Sequence, residues 1–146
     1  MAKLRSALSV PIAAGENEHT AYGFHALIHA GAIDVAQPDI GSCGGITAAR
    51  DITAMAQAAG LMVNPHVWGS AVAQAASLQW IATIPVANHA LYPTQPVLEY
   101  DRSSHPFRQQ LVAESWSLQN GMLAIPDTPG LGIEINMAII DQFAAP

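Results

Sequence analysis

The chain has 146 residues, 51% of them hydrophobic, which suffices for one domain with its own core and excludes a disordered tail. Five basic residues against eleven acidic ones give a net charge of −6, so there is no phosphate-neutralising stripe and nucleic acid is excluded as a partner. Charged residues make up 11%, against roughly 25% in a typical soluble domain, so part of the surface is expected to be covered by other protein.

In chain order, Met1 to Ala7 reads as the end of a helix, and Ser9 to Ala14 as a strand broken by Gly15. His19 to Ala30 carries Tyr22, Leu27 and Ile28 at helical spacing, with Gly31 as the stop. A second strand, Ile33 to Gln37, ends at Pro38-Asp39. The loop Gly41 to Gly45 leads into a helix over Thr47 to Ala59, closed by Gly60. Leu61 to Val63 is a third strand, ending at Asn64-Pro65-His66, and a helix follows over Gly69 to Thr83. Val97 to Tyr100 is expected to be a fourth strand.

Strand and helix thus alternate, the pattern of a parallel α/β sheet. Beyond Arg102 the pattern changes. Met122 to Ile125 and Gly132 to Ile135 look like two short strands around a Pro126 to Gly130 turn. Asn136 is expected to cap a last helix running to Phe143. The single cysteine, Cys43, excludes an internal disulfide and fits a reducing, cytoplasmic setting. The first fifteen residues hold too short an apolar run for a secretory signal. The apolar tract Ala71 to Leu91 is broken by Gln74, Ser77, Gln79 and Pro85, so it reads as a buried helix and no membrane is expected as a partner.

In α/β sheets and barrels, ligands sit beyond the carboxyl ends of the strands. The four strands end in Glu16, Asp39, His66 and Glu99, in a chain where about a tenth of the residues are charged. Polar residues favour loops anyway, but four ionisable ends in succession point to one site. His25 and His29, four apart on a helix, lack the Glu of a zinc-protease motif and read as a solvated face. The Gly41 to Gly45 loop lacks the Lys-Ser/Thr pair of a phosphate cradle and reads as a tight turn. Cys43 has no evident catalytic partner. Trp68 and Trp80 are expected to pack in the interior, with Trp68 near enough to His66 to line a pocket instead.

Several strings carry a family resemblance. They are Ala14-Gly15-Glu16-Asn17-Glu18, Gln37-Pro38-Asp39-Ile40 with Gly44-Gly45-Ile46-Thr47, and Asn64-Pro65-His66-Val67-Trp68-Gly69. Leu98-Glu99-Tyr100-Asp101, His105-Pro106-Phe107-Arg108 and Pro129-Gly130-Leu131-Gly132-Ile133 extend them over nearly the whole chain. Together they resemble the enolase superfamily, in the mandelate racemase/muconate lactonizing enzyme branch, and most of all its galactarolactone cycloisomerases and acid-sugar dehydratases. The resemblance implies the C-terminal half of a TIM-type (β/α) barrel. About four β/α units would occupy residues 1–102, with an extension of short strands and a helix over 103–146.

The resemblance also implies the chemistry. Family members remove the proton α to a carboxylate, and Mg²⁺ stabilises the enediolate. Glu16 would be one carboxylate ligand of that Mg²⁺. Asp39 would orient His66 and stabilise its protonated form, so that the imidazole takes or returns the proton. Glu99, when protonated, would donate a hydrogen bond to the carboxylate of a sugar acid or lactone, and Arg102 or His105 would reach the substrate. Three features of the family have no counterpart. They are its capping domain and first barrel half, its early Lys-bearing strand (Lys3 is the only lysine), and two further metal carboxylates. A lone Glu16 holds Mg²⁺ poorly, because that ion wants several oxygens. The isolated chain is therefore expected to be inactive and not a stable monomer. It would pair with a second copy or with the missing half-barrel, or be part of a longer protein. The alternatives are a racemase or epimerase of the same superfamily, and a non-catalytic half-barrel subunit.

Overall fold

Small and β-branched residues at the first three predicted strand positions pair into a parallel sheet of order β1-β2-β3. The computed structural model describes residues 1–86, 95–113 and 116–144. The strands β1 (Ala13–Ala14), β2 (Val35–Ala36) and β3 (Met62–Val63) align Ala13 with Val35 and Met62, and Ala14 with Ala36 and Val63. Each is shorter than its apolar run. Pro11 precedes β1, and Pro38 and Pro65 follow β2 and β3, so the ladder lacks a backbone donor at those places.

The helices are α1 (Ala2–Ala7), α2 (Thr20–His29), α3 (Gly45–Ala58), α4 (Ala71–Ile81), α5 (Pro106–Gln109) and α6 (Met137–Phe143). α3 starts two residues before the expected Thr47, because Gly44 enters it at φ +111°, a left-handed angle that glycine takes without strain. Ser70 caps α4, its hydroxyl accepting from the Ala73 amide at 3.4 Å. Asn136 sits at the N-cap of α6 as expected, but its side chain makes no cap bond. Of the expected buried tract Ala71 to Leu91, α4 takes the first half, and residues 87–91 lie outside the described residues.

Two expected pairings do not form among the described residues. Val97 to Tyr100 makes no ladder with β3. The Asn64 side chain takes the Val97 amide that a ladder would use, at 2.9 Å, and Pro96 has no amide to offer. Met122 to Ile125 and Gly132 to Ile135 do not pair with each other either. Met122 bridges Gln119 in a tight turn, while Ile135 bridges the more distant Val112, beside the second apolar cluster.

The main core lies between the sheet and α2, α3 and α4, and centres on Phe24, Ile33, Ala36, Ile52, Val63 and Trp80. Trp80 donates to the Thr53 hydroxyl at 3.2 Å, and Thr53 donates on to the Ala49 carbonyl at 2.7 Å, which pairs the indole and the hydroxyl between α3 and α4. A second cluster of Ala71, Leu111 and Val112 with Phe107, Trp116, Ile133 and Ile139 ties the later part of the chain to α4. Successive strand side chains point to opposite faces. Ala36 and Val63 face the helices; on the other face Val35 is buried on the central strand, while Ala13 and Met62 on the two outer strands are exposed, Met62 by 39%. Parallel sheets ordinarily bury both faces, so this face is covered only in part.

Candidate active site at the strand ends

The sheet register itself brings the first two site residues together. Ala36 pairs with Val63, and the same 27-residue offset carries on to a parallel bridge between Asp39 and His66. The His66 amide donates to the Pro38 carbonyl at 3.2 Å. With the backbones thus aligned, His66 Nδ1 lies 2.7 Å from Asp39 Oδ2. An ionised carboxylate only accepts, so Nδ1 carries the proton of this bond and Nε2 is left to take or give one.

On the Nε2 side stand two more carboxylates, Glu16 Oε2 at 3.1 Å and Glu99 Oε2 at 3.8 Å. Glu16 is placed by Gly15. That residue turns the chain at φ +140° against the Phe24 ring, where any Cβ would come within 2.5 Å of a ring carbon. Asp39 is held from its other oxygen, since Oδ1 accepts from the Gly41 amide at 2.7 Å. The Asp39 carbonyl also accepts from the Ser42 and Cys43 amides, so the Gly41 to Gly45 loop is the tight turn expected. The imidazole and Asp39 are largely covered, at 16% exposure each, while Glu16 and Glu99 are half exposed. The four predicted residues therefore meet at one open mouth, with a shielded proton-carrying pair and two solvated carboxylates. Burial, with the Asp39 charge nearby, pushes the Cys43 thiol up, which disfavours its thiolate.

Other expectations fare differently. Trp80 is fully buried, but Trp68 is 69% exposed on the loop after His66, so it does not pack. Arg102 lies over the Tyr100 ring at 5.5 Å and His105 opens α5; neither has an ion pair with the four among the described residues. His25 and His29 are exposed and stack at 6.0 Å, as a solvated face allows. A cleft of about 480 Å³ lies at the opposite ends of the strands, but its charges are spent on each other, with Arg5 Nη2 2.7 Å from Asp34 Oδ1. Sequence reasoning passed over Asn64 and Arg108, whose hydrogen bonds reach the His66 and Glu99 segments. Their signals were membership of the family strings around His66 and Pro106 and position, two residues before His66 and two after Pro106, neither of which assigns a role.

The enolase C-terminal domain-like family model matches residues 1–139. The chain belongs to that family. Its curated relatives include the D-galactarolactone cycloisomerase of Agrobacterium fabrum, 40% identical over 99% of this chain and 38% of that protein. The D-galactonate dehydratase of Verminephrobacter eiseniae is 32% identical over 94% of this chain and 36% of its own length. Among solved structures, the 3,6-anhydro-D-galactonate cycloisomerase of Zobellia galactanivorans superposes with a TM-score of 0.85 at 33% identity, over 97% of this chain and 38% of that one. The enolase-type chain described here thus spans little more than a third of these relatives. A Mg²⁺ ion, which the family implies, is not matched by the residues present. Glu16 is a single carboxylate, and no group of three metal-ligating side chains is found among the described residues.

Proposed function

We propose that this chain supplies the proton-transfer part of an active site that removes the proton α to the carboxylate of a sugar acid or its lactone. The observation that carries this reading is His66, fixed by Asp39 at 2.7 Å with its Nε2 turned to an open mouth. In the proposed step, Nε2 takes the α-proton and the C–H electron pair moves onto the substrate carboxylate. When that pair returns to form the Cα–Cβ double bond, the Cβ–O bond breaks: a lactone ring oxygen leaves as a carboxylate, as in a cycloisomerase, whereas a β-hydroxyl leaves as water with the proton that Nε2 carries, as in a dehydratase. Glu99, across from Nε2, contacts the substrate carboxylate. Glu16 belongs to a Mg²⁺ site only in a complete enzyme, where other carboxylates share the ion.

The partly covered face, with Ala13 and Met62 exposed on its outer strands, and the chain's 38% share of its cycloisomerase relative support completion of the barrel by further protein. The chain alone is accordingly inactive. The names of the curated relatives favour a cycloisomerase or dehydratase over a racemase. The test is a chimera in which this chain replaces the matching segment of the Agrobacterium fabrum cycloisomerase. Turnover of a sugar-acid lactone is expected, and His66→Asn should lower it about 100- to 10,000-fold. Equal turnover by the His66→Asn chimera would favour a non-catalytic half-barrel and reject the assignment.

A further inference from the structure

Glu99 stands opposite His66, yet no sheet ladder holds it there, since residues 95–100 form no strand among the described residues. Two side chains span the gap instead. On one side of the pair, Asn64 Oδ1 accepts from the Val97 amide at 2.9 Å, and these two residues precede His66 and Glu99 by two positions each. On the other side, the Arg108 guanidinium is 9% exposed and reaches both segments at once. Its Nε donates to the Gly69 carbonyl at 3.1 Å, on the loop after His66. Its Nη1 donates to the Asp101 and Ser103 carbonyls at 3.2 and 3.4 Å, just beyond Glu99. Nη2 lies 2.7 Å from Asp101 Oδ2.

We infer that Asn64 and Arg108 are positioning residues, a two-point clamp that sets the Glu99 carboxylate across from His66 Nε2. A guanidinium suits the second point because its planar fork offers five donors in fixed directions, while an ammonium is a single compact charge. The pair it aligns gains a catalytic meaning only through the reading above; the clamp itself is a statement about geometry. Loss of either point frees one end of a segment that has no ladder to fall back on.

The experiment is nuclear magnetic resonance on the full chain without substrate, so that failure of the sugar-acid reading and failure of the clamp give different results. In the unaltered protein, a contact between the His66 ring and the Glu99 side chain is expected, together with a low-field Nδ1 proton bound to Asp39. Arg108→Lys keeps a cation for Asp101 but cannot also reach Gly69. It should lose the His66–Glu99 contact while the low-field proton persists. Asn64→Ala should lose the same contact and exchange the Val97 amide roughly tenfold faster. A merely structural role would lower the melting temperature and leave the contact in place. Retention of the contact in both variants overturns the clamp.

Discussion

At the scale of single residues, the site depends on positions where one atom more or less decides the geometry. Gly15 is the sharpest case. Its φ of +140° is open to glycine and strained for other residues, and an added Cβ would meet the fully buried Phe24 ring at 2.5 Å. Gly15→Ala is therefore expected to destabilise the chain by about 2–4 kcal/mol through backbone strain and overpacking together. Urea denaturation checks this, and a loss within about 0.5 kcal/mol, as at a neutral surface position, would contradict it. Because Glu16 follows directly, the same variant should also displace its carboxylate from His66. Trp68 shows the reverse lesson. Its indole, read either as interior packing or as lining a pocket beside His66, is 69% exposed and takes no part in the core.

At the scale of elements, the limits of the expected helices were legible to within about two residues, with Gly31, Gly44 and Gly60 punctuating α2 and α3 at positive φ, whereas the four-residue α5 was not expected: one turn is too short to show a helical period. Strands were less so, and the fourth failed because side-chain bonds from Asn64 and Arg108 replaced the ladder. Ion pairs, which no periodicity reveals, fix the ends of other elements. α1 is tied down by Arg5 to Asp34, and Asp34 Oδ2 also accepts from the Ile12 amide at 2.8 Å. That amide first, and Arg5 second, hold the Asp34 carboxyl below its ordinary value of 3.8. The Ser103 amide and hydroxyl, then Arg108, do the same for Asp101. A carboxyl lowered by folding contributes stability above its unfolded value and loses it as pH falls through the folded one. Melting temperature should therefore drop as pH is taken from 5 to about 2, and Asp34→Asn should flatten part of that acid limb. An acid limb identical in the variant would remove Asp34 from the account.

At the scale of the whole molecule, the helices cover one face of the sheet, and on the other Val35 is buried while its outer neighbours Ala13 and Met62 are exposed. Val10, Trp68, Val97 and Met122 are exposed large hydrophobics as well, each by more than 60%. Together with the low charge fraction, this argues for cover by additional protein. The expected outcome of size-exclusion chromatography with light scattering on the isolated chain is association beyond one copy at micromolar concentration. A monomer that melts in one cooperative step would show that the partly covered face is tolerated as it stands.

What the sequence determined by itself was local: where the chain turns, which runs alternate, and which ionisable residues end the strands. Glycine and proline fix backbone geometry without help from the rest of the fold, and residue order alone places Glu16, Asp39, His66 and Glu99 at the ends of extended segments. Only the tertiary structure decided how they meet. The shared register of β2 and β3 brings Asp39 to His66, whereas Glu99 arrives through side-chain bonds from Asn64 and Arg108, which stand in the family strings but carried no role there. Register follows from the pattern of strand pairing, but a contact between distant side chains depends on where every intervening element has packed.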